Sequence, residues 1–357
     1  MQKTTSQTNY TIDSAREDIK WSWACRILDH FSYMLDTSSS IEPNVGDLAL
    51  VQIGRIGYHS SLVTINNKKL RIYPGDLVVG VFGNRYATDA LEGQVNGLQN
   101  LSILTAAGMI GTIKSKHQDF GKPTNVSFVG FLNNEKGQRI NLKELKFHRS
   151  VAKSEIKNLI VVVGTGMNAG KTTASSKLIR RLSERGLKVA ACKLTGSVSN
   201  RDQDEMRSAW AITVIDFSDY GFPSTYLCTK EELMALFNTM LSDIENTNPD
   251  IIVMEVADGI LQRETAMLLT DSLIKGMVKG IVLAAESAPA ALYAVQNLEN
   301  IGYNVIAVSG MMTSSPLSVK EFEEHCEVPV CSSADSCKQL TDIIASLSSL
   351  VKSASVR

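Results

Sequence analysis

A chain of 357 residues with 44% hydrophobic residues can bury more than one core, and about two domains are expected. Its 36 basic and 37 acidic residues nearly cancel, to a net charge of -1, so there is no electrostatic footprint for nucleic acid. No apolar run reaches the ~20 residues of a membrane span. The polar opening MQKTTSQTNYTIDSARED lacks the apolar centre of a signal peptide. The expectation is a cytoplasmic protein with neither nucleic acid nor membrane as partner.

Six cysteines, Cys25, Cys192, Cys228, Cys326, Cys331 and Cys337, form no CxxC pair and read as reduced thiols. His325, Cys326, Cys331 and Cys337 are near neighbours. They lack zinc-site spacing, so ordinary thiols are expected there.

In chain order, residues 1–40 read as an N-terminal extension, loose over 1–18. WSWACRILDHFSYML (21–35) has apolar residues at mixed helical spacing and predicts a helix. Residues 41–145 change rhythm. Short runs such as GDLALVQIGRIG, KKLRIYPGD, LVVGVFG and NVSFVGFL are punctuated by Gly, Asp, Asn and Pro, which predicts a small β-barrel-like domain. Gly46-Asp47 and Gly75-Asp76 each precede an apolar run and hint at a duplicated hairpin. In GNRYATDALEG, the cluster Arg85, Tyr86, Asp89 and Glu92 is either a ligand loop or a turn held by a structural Arg–Asp pair.

Residues 146–157 read as a linker, 158–350 as a second domain and 351–357 as a tail. In the second domain, strands are predicted at 159–163, 188–193, 212–216, 250–256, 279–284, 304–309 and 328–331, with helical segments between them. That alternation predicts an α/β fold with a mainly parallel sheet and helices on both faces. Ligands of such sheets lie beyond the carboxyl ends of the strands.

The stretch NLIVVVGTGMNAGKTTASSKL runs from an apolar strand through a glycine-rich turn into a helix. This is the context a phosphate-binding loop requires. Gly164, Thr165, Gly166, Asn168, Ala169, Gly170, Lys171, Thr172 and Thr173 are the candidate nucleotide ligands. Backbone amides and the helix N-terminus favour an anion. Lys171 would reach the β- and γ-phosphates, and the Thr172 hydroxyl would hold Mg2+.

GTGMNAGKTT resembles the GTDxxxGKT loop of dethiobiotin synthetase, in the P-loop branch that also holds the cobyrinate amidases and the MobB-type molybdopterin-guanine dinucleotide adaptor. The family's loop aspartate is Gly166 here. VAACKLTGS resembles the family's KPxxSG segment without its proline, which implies a phosphate-facing Lys193, with Thr195 and Gly196 near substrate. DIIVMEVADGI resembles the family's VEGAGG, which makes Glu255 a metal ligand. Asp258 is either a second ligand or a helix cap. The family also carries a metal-binding aspartate on the stretch matching NRDQDEMRSA, where Asp202 and Asp204 both qualify.

VIDFSDYGFPSTY crowds Asp216 and Asp219 into a polar loop at the carboxyl edge of the sheet, which is expected to line the substrate site together with Asp258 and Arg85. The segment is similar to one in a P-loop family related to D-glutamate N-acetyltransferase. VSGMMTSSPLS and VPVCSS follow the last strands, where the branch holds the base. No NKxD motif marks a guanine site in this half.

Three functions follow from these resemblances. The first is an Mg2+/ATP-dependent enzyme, with GTP as the alternative nucleotide, acting on a small carboxylate or amine, with Lys171 and Lys193 as the catalytic pair. The second is a nucleotide-hydrolysing adaptor with a protein partner. The third is an N-acyltransferase. The resemblance also implies a homodimer.

Overall fold

The computed structural model describes residues 10–13, 16, 18–28, 32–38, 40–148, 158–332 and 344. The expected linker beyond 148, the tail at 351–357 and Cys337 lie outside the described residues. The chain divides into two units. Unit 1 is Met1–Phe147 with Ser197–Asn200 and Ser218–Ser224; unit 2 is His148–Gly196, Arg201–Phe217 and Thr225–Arg357. Two short segments of the later sequence thus belong to the first unit.

Unit 1 comprises β1 (Tyr10–Asp13), β2 (Ile19–Trp21), β3 (Ser32–Asp36), β4 (Leu48–Ile53), β5 (Ser61–Val63), β6 (Lys69–Arg71), β7 (Leu77–Phe82), β8 (Leu91–Gln94), β9 (Leu101–Ile103), β10 (Met109–Lys116), β11 (Val126–Asn133) and the short helix α1 (Leu142–Lys146). Its main sheet runs β1-β3-β11-β4-β7-β10-β8, with β2 also on β7 and β9 on β10; β5 and β6 pair separately. The sheet closes on itself. Ser102 of β9 bridges to Asn125, and Ile103 N–H donates to the Thr124 carbonyl at 3.0 Å, just ahead of β11. Inside are Val51, Ile53, Val78, Phe82, Ile103, Ile110 and Phe131.

The two Gly-Asp turns are equivalent in this barrel. Asp47 accepts from the amide of Asn44 and Asp76 from that of Tyr73, each at 2.8 Å and three residues back. Gly46 N–H donates to the Phe82 carbonyl and Gly75 N–H to that of Ile53, both at 2.8 Å. β4 and β7 are antiparallel, so each turn seats its neighbour at the far end of the other strand. Both glycines have positive φ, 97° and 92°, which a side chain would resist.

The helix expected over 21–35 is not formed among its described residues. β2, a single 3-10 turn at Trp23–Cys25, and β3 stand there instead. Ile19 and Trp21 are buried around Lys20, and Tyr33 and Leu35 are buried between Ser32, Met34 and Asp36. The burial period is two, which is a strand period. A short helix, α1, closes the expected β-rich region and ends at Lys146, where the linker was expected to begin. Asn141 Oδ1 accepts from Lys143 N–H at 3.0 Å and caps α1.

Unit 2 comprises β12 (Leu159–Gly164), α2 (Lys171–Glu184), β13 (Val189–Lys193), α3 (Arg201–Ser208), β14 (Thr213–Asp216), α4 (Lys230–Glu245), β15 (Ile251–Glu255), α5 (Arg263–Leu269), α6 (Ser272–Met277), β16 (Val278–Ala284), α7 (Ala288–Asn300), β17 (Val305–Ser309) and α8 (Pro316–Glu323). The strand order is β14-β13-β15-β12-β16-β17, with every pair parallel. The strand expected at 328–331 is reduced to one parallel bridge, Val308 to Val330. All six residues of β12 are buried, because helices cover both faces of such a sheet. Leu178, Ile179 and Leu182 of α2 pack with Ile160, Val162, Val253 and Met206 on one of them.

Among the described residues no helix is long and apolar enough to cross a membrane. The reduced state expected for all six cysteines is corrected at one position. Cys331 is disulfide-bonded, while Cys25, Cys192, Cys228 and Cys326 stay as thiols outside any disulfide.

Candidate nucleotide and metal site

Strand, glycine-rich turn, Gly-Lys-Thr and helix follow one another from β12 to α2, the P-loop arrangement. Gly170 holds the N-cap of α2 at φ 97°, and no side chain caps the helix. The first-turn amides of a helix lack intrahelical partners and attract an anion. Gly164 is needed for close approach. A Cβ there would come within 2.9 Å of the Lys171 stem.

Lys171 is 5% exposed. Its ammonium donates to the carbonyls of Gly166 at 2.7 Å and Met167 at 3.3 Å. Burial lowers its pKa, and the charges of Glu255 and Asp258 oppose that shift without reversing it. Of the other loop candidates, Ala169 is buried, whereas Asn168 and Thr173 are exposed. Thr165 accepts through Oγ1 from Glu286 N–H at 3.2 Å.

The carboxyl ends of three adjacent strands carry charge. In register, Asp216 of β14 faces Lys193 of β13, which faces Glu255 of β15. Lys193 Nζ is hydrogen-bonded to Asp202 Oδ2 and lies 3.3 Å from Glu255 Oε1. Thr172 Oγ1 completes the group, 3.2 Å from Asp202 Oδ1 and 3.3 Å from Glu255 Oε1. Burial alone would lower the Lys193 pKa, but Glu255 and Asp202 outweigh it and hold the lysine well above its ordinary value. Burial likewise pushes the Asp202 carboxyl up, and Lys193 and Thr172 draw it below the usual range.

The donor set suits Mg2+, a hard ion that takes one or two carboxylates, a hydroxyl and phosphate oxygens. Thr172, Asp202 and Glu255 offer only oxygen. Glu255 is 1% exposed, and its Oε2 has no hydrogen-bond partner. A buried carboxylate oxygen left this way calls for a cation or donor. Among the described residues no group of three or more His, Cys, Asp or Glu is placed to hold a metal by itself.

The remaining candidates divide. On α3, the Asp202 side chain turns inward at 16% exposure; that of Asp204, 42% exposed, faces Arg207 at 3.5 Å. Asp216 is buried in the register row. Thr195 is buried and accepts from Ala257 N–H at 2.8 Å, tying the second loop to the third. Gly196, at φ 134°, lets the chain pass over Lys193, whose Cε would lie 3.1 Å from an added Cβ. Asp258 sits in the left-handed region at φ 59° on the loop after β15. Asp219 and Arg85 belong to unit 1. There Asp219 pairs with Arg26, and the Arg85 guanidinium donates to the Leu104 carbonyl.

Two contributors carry no motif. A Cβ on Gly166 would lie 2.6 Å from Glu286 Oε1, so this acidic residue after β16 borders the loop. Gly310, after β17, lies against the loop as well. Met311 N–H donates to the Ala169 carbonyl at 3.0 Å. The signal for both was position alone, at the carboxyl edge of a parallel sheet.

No protein-family model matches the chain, and no curated protein does. Among solved structures it is similar to the kinase domain of the Escherichia coli tyrosine kinase ETK, at 18% identity and a TM-score of 0.32, over 43% of this chain and 66% of that one. It is also similar to the signal recognition particle receptor FtsY of Elizabethkingia anophelis in complex with GDP, at 15% identity and a TM-score of 0.38, over 58% and 69%. Chloroplast FtsY of Physcomitrella patens matches at 15% identity and 0.31, over 47% of this chain and 55% of that chain. The chain thus spans between about half and about two thirds of these structures.

Proposed function

We propose that the chain is a Mg2+-nucleotide-dependent enzyme that transfers the terminal phosphoryl group of ATP to a small carboxylate or amine. The observation that carries this reading is the meeting of Lys193, Asp202, Glu255 and Thr172 beside the Lys171 loop. The helix N-terminus and Lys171 would cradle the phosphates. Lys193 would neutralise charge on the transferring group. Thr172, Asp202 and Glu255 would hold Mg2+, which when bound supplies further neutralisation. Bringing the substrate's own oxygen or nitrogen into line would do the rest, so no protein nucleophile is required.

One observation favours a second reading, a nucleotide-driven switch acting on a protein partner. The segment Ser197–Asn200, between site residues Lys193 and Asp202 in the chain, belongs to unit 1. A change at the phosphates would then reach the front unit through the chain itself.

Calorimetric titration of the purified protein with ATP, GTP and acetyl-coenzyme A, each with Mg2+, beside Lys171→Ala, tests the proposal. Mg2+-dependent ATP binding that the substitution abolishes is expected, followed by ADP release stimulated by a metabolite. Binding of the coenzyme alone would overturn it in favour of an acyltransferase. Release stimulated only by a protein would favour the switch.

A further inference from the structure

We propose that Lys193 and the divalent cation compete for the same two carboxylates, so that metal enters the site only as the lysine leaves it. The inference deepens the proposed function and rests on it for the nucleotide, though not for the competition itself.

Asp202 and Glu255 are the two carboxylates that meet the Thr172 hydroxyl, and Lys193 touches both, by the hydrogen bond to Asp202 Oδ2 and at 3.3 Å from Glu255 Oε1. Thr172 Oγ1 lies within 3.3 Å of the same two groups. Mg2+ binds carboxylate oxygens at about 2.0–2.1 Å. An ion on these oxygens would therefore sit within van der Waals range of the ammonium. Two cations that close, in a site this dry, repel strongly.

The alternatives for the lysine are restricted. Its side chain is 12% exposed and that of Glu255 only 1%. Gly196 closes over its Cε. A lysine displaced from both carboxylates must turn its ammonium outward at a cost, which another anion within reach of the end of β13 would lower. A nucleotide phosphate bound by the loop before α2 would be that anion. Glu255 Oε2, buried and without a partner, marks what the ammonium leaves unsatisfied and a metal would take. Metal and nucleotide triphosphate should therefore bind with positive coupling, because the metal takes the carboxylates that the lysine leaves and the phosphate takes the lysine.

The test uses the full chain and Mn2+ alone, with free Mn2+ followed by electron paramagnetic resonance. Lys193→Met and Lys193→Gln remove the competing charge and should tighten Mn2+ binding on the order of tenfold, within the usual span of coupling between two sites. In the wild type, an amine-acetylating reagent read by mass spectrometry should modify Lys193 several-fold faster in saturating Mg2+ than without it. Equal or weaker Mn2+ affinity in a variant that keeps the wild-type circular dichroism overturns the proposal, and so does unchanged labelling of Lys193. Where neither variant folds, the labelling decides. Neither readout needs a nucleotide, so failure of ATP binding would sink the proposed function without touching this result.

Discussion

Lys193 and Glu255 are register partners on adjacent parallel strands, and their side chains meet at 3.3 Å with the carboxylate 1% exposed. A buried ion pair is a poor source of net stability, because desolvation offsets most of the attraction. Removing one partner is costly nonetheless. Such a pair at the carboxyl edge of a sheet is better explained by what it does there.

The pair predicts a specific pattern of stabilities. Glu255→Gln should destabilise the protein by about 2–3 kcal/mol, below the ~3–5 kcal/mol of a pair broken outright, because Asp202 still faces the ammonium. Combining it with Lys193→Met should recover part of the loss, with a coupling of about 1–3 kcal/mol. Urea denaturation of the two single variants and the double variant measures it. Strictly additive losses would mean that the two groups do not interact energetically.

Asp202 and Asp204 lie two residues apart, yet their side chains meet different surroundings. Asp202→Asn should weaken Mg2+-dependent ATP binding about tenfold or more, since a lost charged ligand costs at least ~1.4 kcal/mol. Asp204→Asn loses only an exposed pair with Arg207, worth about 0–1 kcal/mol, and should bind within about twofold of wild type. Calorimetry on both variants tests the assignment, and equal losses would refute it.

That contrast shows where the sequence was legible. A run such as LIVVVG, followed by glycines and GKT, predicts a strand feeding a phosphate-type loop, and the alternation after it left few topologies. Asp202 and Asp204 could not be told apart, because both stand in the first turn of α3 and the choice depends on how that helix is rotated against β13. Glu286 and Gly310 have no motif at all; tertiary placement makes them part of the site. The segment 21–35 misled for a different reason. Its aromatic and apolar residues fit both periods, and pairing of β3 with β11 chose the strand. The Gly-Asp repeat was visible as two dipeptides, but its symmetry exists only once β4 and β7 pair.

Gly310 makes a sharper test of the site's backbone. Its φ is 98°, and an added Cβ would lie 2.2 Å from the Ala169 carbonyl oxygen and 2.6 Å from the Ala285 nitrogen. The Ala169 oxygen cannot yield without moving the phosphate loop, nor the Ala285 nitrogen without moving the end of β16. Gly310→Ala should cost about 3 kcal/mol, strain and clash together, and weaken ATP binding as well. Gly75→Ala is the control. Its φ is 92° with nothing within 4 Å, so it should cost only the ~1–2 kcal/mol of a left-handed residue and leave binding unchanged. Thermal melts and ATP titrations of both variants separate the two effects.

In the front unit, His59 sets a pH dependence. Burial first, and the nearby Arg85 guanidinium second, hold its pKa down at about 4. Its Nε2 is 3.1 Å from the Leu104 carbonyl, so the neutral ring donates there. In the unfolded chain a histidine titrates near pH 6.5. Between about pH 6.5 and about pH 4 the unfolded state therefore binds more protons than the folded one, and stability must fall as pH falls through that window. Above about pH 6.5 the contribution is flat. His59 is only partly buried, so the ~3 kcal/mol that the full shift would give is discounted to about 2 kcal/mol. His59→Gln keeps an N–H for Leu104 and removes the titration. Urea denaturation at about pH 7.5 and about pH 4.5 should show a loss smaller by about 2 kcal/mol in the variant than in the wild type. An identical loss in both would assign the acid sensitivity to other groups.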